Sequence, residues 1–493
     1  MRKIWIMILL PISLLVACDD FLDVSSDDEI LQKEIFSDGS GVRLAVNGVY
    51  KALSSNSLYG KNLTWGFISV LGHNYADESL PFGWEDYAKY EWKSSSCKTV
   101  AEEIWTTGYN VIASCNNIIQ EIEKKDSSFF EYGAMEKDMI LGEMYGLRAF
   151  VHFDIYRLFV PAPATNYTGN AIPYVTVYPD HQPKHLDAKK VMELIVTDMT
   201  TAKKLLAKVD TVFCRSWNRS STSRLKLTIL GSGPDNFVGF RGHRMNYFAA
   251  AALLARMYLY AGDYQQAYAN ALEAYQFHEH GWFAWTPEDN QGNAPNLIDM
   301  HVKRYEELYM AFFNNDNYDN WENAIGTSYQ WLLMKNIDKL FGEDLDDFRY
   351  KGFYNRHNDG RYLTWQRPTV TSSGSIVRSD IEGPLLPIIR FSEMYHILIE
   401  CLIEQGKVSD AAELLNTLRT KRGVKFNQIP LTISAGDLKE KLVNDVVREN
   451  LTEGRTFFFF KRLNRGIYNG DTNIELTASQ WTIPLPDSET SYQ

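Results

Sequence analysis

The chain has 493 residues, of which 45% are hydrophobic, so it is long enough to bury a large core and is not disordered as a whole. Its formal net charge of −12 argues against nucleic acid as a partner, because phosphate binding requires concentrated lysine and arginine. Aromatic residues make up 13% of the chain, and such side chains build cores but also stack on sugar rings.

The first residues are typical of an exported bacterial lipoprotein. Two basic residues precede an apolar run over 4–16, which has the length of a signal-peptide core and is too short for a membrane span. The run ends in Leu-Leu-Val-Ala-Cys, which resembles a lipobox and predicts a signal peptide over 1–17 and lipid on Cys18; a buried cysteine after an uncleaved helix is the alternative. Asp19 and Asp20 then resemble the export signal of surface lipoproteins in some Gram-negative bacteria. We therefore expect a lipid-anchored outer-membrane protein exposed on the cell surface.

Helical periodicity is present in four stretches before residue 210. The predicted helices cover 36–50, 101–125, 136–159 and 187–209. Prolines after residue 160 stop the third helix, and Asp187 is a candidate N-cap of the fourth.

Two long stretches show no helical period. Residues 54–96 are punctuated by Gly, Ser and Asn and are rich in aromatics, and we interpret them as loops and short strands. Residues 277–387 form a second irregular region, in which 314–323 is polar and is interpreted as a solvated loop. Three alternating Asn and Asp residues in it begin like a calcium loop, but the glycine and the distal glutamate of such a loop are missing.

The stretch 244–275 predicts a helical hairpin. Apolar residues recur at three- and four-residue spacing before Gly262, and the small residues Ala267 and Ala271 follow it, which lets two antiparallel helices approach closely. This spacing resembles a tetratricopeptide repeat; an alanine-rich hairpin in another all-α protein is the alternative. Because one hairpin cannot bury its own apolar face, partner hairpins are expected.

A matching hairpin is predicted over 393–423. Gly406 and Ala411 have the same separation as Gly262 and Ala267, and the two glycines lie 144 residues apart. The repeat array is therefore interrupted, and we expect the interruption to carry the function.

The cysteines after Cys18 indicate no metal or redox motif, because none forms a C-x-x-C pair. Their spacing leaves disulfide pairing open, although Cys115 and Cys401 lie on apolar helix faces and are expected to be small core residues. The four are Cys97, Cys115, Cys214 and Cys401.

Five stretches along the chain form a recognisable series. The first is the lipobox followed by Asp-Asp-Phe-Leu-Asp (19–23), and the second is Trp105 and Tyr109 with Asn-Asn-Ile-Ile (116–119). The others are Leu-Arg-Ala-Phe (147–150) with Asp-Ile-Tyr-Arg-Leu-Phe (154–159), Leu-Pro-Ile-Ile-Arg-Phe-Ser-Glu-Met (386–394) with Glu400, and Arg448-Glu449 with Glu-Gly-Arg (453–455) and Lys461-Arg462. In this order they together resemble the SusD/RagB family of outer-membrane nutrient-binding lipoproteins. The chain departs from the family pattern at Thr456 and in the four phenylalanines that follow. Because the family's loops vary greatly, the identity of a ligand does not transfer.

The resemblance implies a mainly α fold in a single unit over 18–493. Four tetratricopeptide-like units would form a scaffold over about 101–275 and 388–455, beside a loop-rich ligand lobe over about 54–96 and 277–387. It also implies an oligosaccharide or polysaccharide ligand and, as partner, a TonB-dependent, SusC-like β-barrel transporter on which the lipoprotein sits as a lid. Known relatives do no chemistry on the sugar, so neither enzyme activity nor a cofactor or metal ion is expected.

The tryptophans outside the helical stripes predict where a glycan binds. Flat aromatic faces suit the C–H surfaces of sugars, and neighbouring Asn and Asp suit their hydroxyls. We predict a shallow composite surface built by 65–92 together with 282–321; burial under a loop is the alternative for each tryptophan. The candidate ligand-binding residues are Trp65, Asn74, Asp77, Trp84, Tyr87, Trp282, Trp285 and Trp321.

Two other functional classes are weighed against glycan binding. A glycosidase needs two carboxylates at a defined separation, but the acidic cluster over 344–347 is interpreted as a solvated turn pairing with Arg349. No nucleophile elbow, zinc-protease motif or nucleotide loop occurs in the sequence. The remaining alternative is a tetratricopeptide-type protein-interaction scaffold without a glycan site, although such repeats bind peptides on concave helix faces and the aromatics here lie in loops.

Overall fold

The computed structural model describes most of the chain after residue 32. The predicted signal peptide and the lipid-accepting Cys18 lie outside the described residues. The described residues are 33–180, 183–225, 236–292, 294, 299–325, 332–353, 369–370, 376–377 and 382–490.

Helices dominate the described chain, which confirms the predicted mainly α fold. The longer helices are α1 (Gly39–Leu53), α2 (Ser95–Glu123), α3 (Gly133–Phe159), α4 (Ala188–Lys208), α5 (Tyr247–Ala261), α6 (Tyr264–Glu279), α7 (Asn317–Ile325), α8 (Ser392–Glu404), α9 (Val408–Lys421), α10 (Ala435–Glu449) and α11 (Thr456–Leu463). Helices of four to six residues cover Phe67–Leu71, Glu85–Ala88, Arg215–Asn218, Ser221–Leu225, Ile337–Phe341, Phe348–Phe353 and Asp487–Thr490, and a π-helical turn covers Val209–Phe213. Single 3₁₀ turns cover Asp77–Ser79, Ser127–Phe129, Pro163–Thr165, Arg241–His243, Glu288–Asn290 and Tyr305–Glu307.

The four helices predicted before residue 210 are confirmed as α1 to α4. Asp187 caps α4 as predicted, since its carboxylate accepts hydrogen bonds from the backbone N–H groups of Lys189 (2.9 Å) and Lys190 (3.2 Å). α2 begins six residues earlier than predicted, because the Ser94 hydroxyl accepts from the backbone N–H of Cys97 and caps the helix there.

Buried polar contacts join the first large helices. Arg148 on α3 donates to the carboxylate of Asp198 on α4 at 2.7 and 2.9 Å. Its third donor reaches the side-chain oxygen of Asn116 on α2 at 2.8 Å. A single arginine therefore fixes three helices relative to one another.

Both predicted hairpins are confirmed. α5 and α6 turn at Gly262, which has φ +82°, and α8 and α9 turn at Gly406, with φ +76°; only glycine adopts this backbone without strain. The two hairpins pack side by side through α6 and α8, with the rings of Tyr275 and Tyr395 at 5.0 Å. The units that the sequence separates by more than a hundred residues are therefore neighbours in space.

A two-stranded ladder, which the sequence reading missed, crosses the predicted irregular region. β3 (Leu308–Phe313) pairs antiparallel with β6 (Leu385–Arg390), from Leu308 opposite Arg390 to Phe313 opposite Leu385. All six residues of β6 are buried, so the alternation that marks a half-exposed strand is absent. The other strands are β1 (Asn170–Pro173) paired with β2 (His185–Asp187), β4 (Thr369–Val370) with β5 (Ile376–Val377), and β7 (Ile467–Tyr468) with β8 (Asn473–Ile474).

Two local predictions in the loop-rich parts are wrong. Residues 54–96 contain short helices rather than strands, and their described β contact is a single bridge between Tyr75 and Met334. The stretch 314–323 is not a solvated loop: it leads into α7, where Asn317 and Trp321 are each 3% exposed. Burial of Trp321 in a second hydrophobic cluster outweighs the polar composition of this stretch.

Charged residues of the two stretches 386–400 and 448–462 pair with each other and with buried arginines elsewhere in the scaffold. Arg390 forms a bidentate pair with Glu453 (2.6 and 2.8 Å), and Arg462 forms one with Glu400 (2.6 and 2.7 Å). Glu449 accepts from Arg349 and Arg422, all three fully buried. These pairs join α8, α9, α10 and α11 to the loops between them.

The acidic cluster over 344–347 belongs to the same network. Asp347 pairs with Arg349 as predicted, at 2.7 Å, but both side chains are fully buried, so the prediction of a solvated turn is wrong. Asp344 is also buried and pairs with Arg419 (3.0 Å) and Arg448 (2.6 Å). Carboxylates are retained in this interior because each has an arginine partner.

Candidate ligand-binding cleft

An open cleft of about 900 Å³ lies where the end of α1, the segment before α5 and the end of β3 meet. This volume is within the range of small-molecule binding sites. Amides, hydroxyls and aromatic rings line most of it. Its lining residues are Asn47, Tyr50, Lys51, Ser54, Ser55, Asn56, Leu225, Asn236, Phe240, His243, Arg244, Phe313, Asn314, Asn315, Asp316 and Asn320.

One wall of the cleft is held rigidly by a buried glutamate. Glu143 on α3 is fully buried and accepts from Arg244 at 3.0 Å and from the Tyr50 hydroxyl at 2.9 Å. Burial alone would raise the pKa of Glu143, but Arg244 and Arg241 hold it below its ordinary value. The glutamate therefore stays ionised, and it fixes Tyr50 and Arg244 against each other, with the guanidinium 4.7 Å from the ring centroid.

Aromatic rings form a second wall. Phe313, the last residue of β3, is 45% exposed and packs edge-on against His243 with ring centroids 5.1 Å apart. Phe240 lies on the other side of this histidine at 6.0 Å. Burial lowers the pKa of His243, so its imidazole is neutral at pH 7. Phe313 therefore offers a flat apolar face to a ligand without an adjacent charge on its packing partner.

Amide groups converge on the same space from two elements. Asn56, after α1, donates to the side-chain oxygen of Asn320 on α7 at 3.1 Å, and Asn314 donates to the backbone carbonyl of Ser54 at 2.9 Å. The Oδ1 atom of Asn56 and the hydroxyl of Ser55 have no hydrogen-bond partner among the described residues. Both of these atoms are buried, so the accessible polar groups of the cleft are the other side-chain amides that line it.

Three of the predicted ligand-binding tryptophans do meet, but they meet inside the protein. Trp65 is fully buried, with its indole N–H donated to the carbonyl of Gly60 at 2.8 Å, and Trp84 and Trp321 are 9% and 3% exposed. Together they form the core of a small hydrophobic cluster, and Tyr87 packs on its edge, half-buried. The predicted juxtaposition of 65–92 with 321 is present, yet Trp65 offers no surface for a ligand in this structure.

Asn74 and Asp77 occupy contrasting positions. Asn74 is 3% exposed and is used internally, since its side-chain oxygen accepts from the backbone N–H of Thr452 at 3.1 Å. Asp77 is exposed and pairs with Lys335 at 2.9 Å. Of the two, only Asp77 is accessible to a ligand.

Trp282 and Trp285 pack on the helical scaffold and not in the cluster that holds Trp65. Trp282 contacts Phe248 on α5 at 5.1 Å, and Trp285 contacts Phe391 at 4.6 Å, both measured between ring centroids. The structure therefore does not bring these two residues together with 65–92. Trp282 and Trp285 pack against apolar side chains of the helical scaffold instead.

The cleft residues were missed because they carry no strong local pattern. Asn47 and Tyr50 are on a helix that the sequence predicted only as amphipathic, and 236–244 has no period. The run of asparagines at 314–315 was the available signal, and it was interpreted as solvated polarity. α7 links the cleft to the predicted aromatics, because Asn320 lines the cleft while the adjacent Trp321 is buried in the tryptophan cluster.

The four cysteines after Cys18 lie in the interior of the protein. Cys97, Cys115, Cys214 and Cys401 are free and buried, which confirms the core positions predicted for Cys115 and Cys401. Within the described ranges, no group of three or more His, Cys, Asp and Glu side chains is arranged to hold a metal ion. In the same ranges, no helix combines the length and the apolar character that crossing a bilayer requires.

Comparison with known proteins supports one family. Residues 20–222 match a SusD-like family model described as starch-binding and associating with the outer membrane. Over 99% of its length the chain is 21% identical to SusD-like protein P38 of Formosa agariphila, 97% of which is covered. The chain is similar to SusD-like proteins.

Solved structures agree on the fold of this chain. A putative sugar binding protein of Bacteroides vulgatus superposes with a TM-score of 0.66 at 19% identity, covering 92% of this chain and 96% of the other. A SusD superfamily protein of Bacteroides thetaiotaomicron gives 0.64 at 20% identity, covering 92% and 97%. The family resemblance and the fold predicted from the sequence are therefore confirmed.

Proposed function

We propose that this SusD-like protein binds an oligosaccharide in the cleft between α1, β3 and α7. The observation that carries the proposal is the exposed Phe313 ring beside the asparagine side chains that line the cleft. An apolar ring suits the C–H face of a sugar, and amides both donate to and accept from hydroxyls. The starch-binding description of the matching family supports the same ligand class.

Binding is expected to be modest. Stacking contributes about 0.5–1.5 kcal/mol per ring beyond area burial, and sugar hydroxyls exchange bonds to water for bonds to protein at little net gain. Micromolar or weaker dissociation constants follow. We propose that capture at the cell surface, rather than hydrolysis, is the function, because the acidic cluster over 344–347 is occupied by arginine partners.

Replacing Phe313 with alanine tests the cleft. Loss of one stacking ring is expected to weaken binding about 3- to 10-fold, because that factor corresponds to about 0.5–1.5 kcal/mol. The melting temperature should change little, because the ring is 45% exposed. Isothermal titration against malto-oligosaccharides and a panel of other oligosaccharides measures the effect, and the sugar should be recovered unchanged afterwards.

Two exposed phenylalanines serve as matched comparisons for this titration. Phe426, which is 93% exposed and outside the cleft, should be replaceable by alanine without effect. Phe82, 98% exposed, lies in the 65–92 segment that the sequence favoured. If Phe82→Ala weakens binding and Phe313→Ala does not, the ligand binds to the 65–92 segment. Its accessible residues Phe82, Asp77 and Tyr87 would then contact the sugar. If no sugar binds at all, the protein-interaction scaffold is favoured.

We further propose that Cys18 carries the lipid anchor and that the protein delivers its ligand to a TonB-dependent, SusC-like β-barrel transporter. The proposal rests on the lipobox and on the family's association with the outer membrane. Cys18→Ser should leave the chain soluble or unprocessed and free of labelled fatty acid on cell fractionation. A barrel protein should co-purify with the wild-type chain from detergent extracts. Fatty-acid labelling of the serine variant would contradict the lipid anchor on Cys18. Repeated absence of any barrel protein from the detergent extracts would contradict delivery to a transporter.

A further inference from the structure

A second cavity, of about 80 Å³ and partly open to solvent, lies between helices of the scaffold and shares no lining residue with the cleft. Its walls come from α3, α5, α8, α10 and α11. Apolar side chains, among them Leu259, Ile397 and Phe458, make up much of the lining. The cavity is larger than the roughly 30 Å³ that one water molecule occupies in the liquid.

The charges around this cavity do not balance. Four guanidinium groups line it, whereas three carboxylates pair with them: Asp154 with Arg157, Glu393 with Arg256 at 2.6 Å, and Glu400 with Arg462 at 2.6 Å. The fourth guanidinium belongs to Arg455. One positive charge is therefore in excess in a mostly apolar, partly open cavity, where charge interactions are stronger than in bulk water.

Arg455 carries this excess. Its closest carboxylate oxygen, Oε2 of Glu393, is 3.7 Å away and already shared with Arg256, and no hydrogen bond from the Arg455 side chain is formed within the described chain. Burial, together with the nearby Arg256, lowers the pKa of Arg455 to about 9. The Arg455 side chain is 15% exposed, and its guanidinium shares its nearest carboxylate with Arg256.

Unsatisfied polar atoms cluster around the same cavity. Three lining residues, Arg157, Tyr260 and His396, are each at least 95% buried. The Nε–H of Arg157 and the Tyr260 hydroxyl have no hydrogen-bond partner in the described part of the chain, and neither has Nδ1 of His396. Two of these three atoms are donors, and a buried donor without an acceptor costs about 1–3 kcal/mol. The site therefore has both an excess of positive charge and hydrogen-bond donors without acceptors.

We propose that this cavity binds a small tetrahedral oxyanion, phosphate or sulfate, between Arg455, Arg157 and the Tyr260 hydroxyl. An oxyanion offers several acceptors, and planar guanidinium groups bind such anions through two N–H groups at once. The bound anion would join α3, α5 and α11, so it acts as a structural ligand of the scaffold, independent of the sugar site.

The proposal is tested with inorganic phosphate on the purified chain. Because the folded state alone holds the cavity, phosphate should raise the melting temperature saturably, by roughly 2–5 °C, above the effect of chloride at equal ionic strength. Equilibrium dialysis with labelled phosphate should give one site per chain. Sulfate should compete for it.

Two variants connect the effect to the cavity. Arg455→Met is expected to weaken phosphate binding at least about tenfold while leaving the melting temperature in phosphate-free buffer near that of the wild type, because the side chain makes no hydrogen bond there. Tyr260→Phe removes one donor with little change of shape and should weaken binding about 3- to 10-fold. Arg465→Met, at a surface pair with Glu440, is the control and should bind phosphate normally. A thermal response equal to that of chloride, no saturable phosphate binding, or an unchanged phosphate affinity in both cavity variants would overturn the proposal.

Discussion

Replacing Glu449 with alanine is expected to lower the free energy of unfolding by about 3–5 kcal/mol, because it leaves buried guanidinium groups without their counter-charge. Glu449 accepts from Arg349 at 3.0 Å and from Arg422 at 2.7 and 3.0 Å, and the Ser392 hydroxyl donates to it at 2.9 Å. Arg304 lies 3.5 Å away. Urea unfolding followed by circular dichroism measures the loss.

Glu440 provides the matched control for this variant. Its side chain is 62% exposed, and its pair with Arg465 is at the surface, so Glu440→Ala should change stability by no more than about 0.5 kcal/mol. A Glu449→Ala variant that lies within 1 kcal/mol of the wild type would show that the network contributes no net stability.

The acid dependence of stability provides a second readout of the same change. Burial alone would raise the pKa of Glu449, but Arg304, Arg422 and Arg349 hold it well below its ordinary value of 4.5. A depressed folded-state pKa contributes stability that is present above the unfolded pKa and is lost as pH falls below it. The wild type should therefore lose stability steeply as pH falls below about 4.5, and Glu449→Ala should lose it less steeply because one such carboxylate is gone.

Replacing Trp321 with alanine is expected to cost about 3–5 kcal/mol, the usual range for removing a buried large aromatic side chain. The side chain is 3% exposed and packs in the cluster of Trp65 and Trp84, with Tyr318 stacked on it at a centroid distance of 6.1 Å. Thermal unfolding, with intrinsic fluorescence as the signal, measures the effect on this lobe.

Replacing Trp321 should also affect ligand binding, because its neighbour in the chain, Asn320, lines the cleft. Loosening α7 should therefore weaken oligosaccharide affinity, whereas Trp321→Phe, which keeps most of the packing, should retain it. Phe82→Ala is the stability control because that ring is 98% exposed. If Trp321→Ala unfolds like the wild type but binds no sugar, the indole contacts the ligand directly.

Local sequence determined the helical scaffold. The amphipathic stripes of α1 to α4, the cap at Asp187 and the glycine turns at Gly262 and Gly406 act within a few residues, so their effects are readable along the chain. The family motifs were also found in sequence, although their roles were not. Arg462 on α11 pairs with Glu400 on α8, whereas Arg390 on β6 pairs with Glu453 between α10 and α11. Glu449 on α10 pairs with Arg349 and Arg422.

Tertiary structure alone decided which residues form the candidate site. β3 and β6 lie more than seventy residues apart in the chain, and a fully buried strand lacks the alternation that identifies one locally. Trp65, Trp84 and Trp321 are buried, because burying an indole removes a large apolar surface from water, whereas the asparagines around Phe313 line the cleft. The same long-range packing gathered Arg157, Arg256, Arg455 and Arg462 around one cavity from three separate parts of the sequence. Sequence therefore specified the helices and their turns, and the burial of side chains between distant segments decided what remains accessible to a ligand.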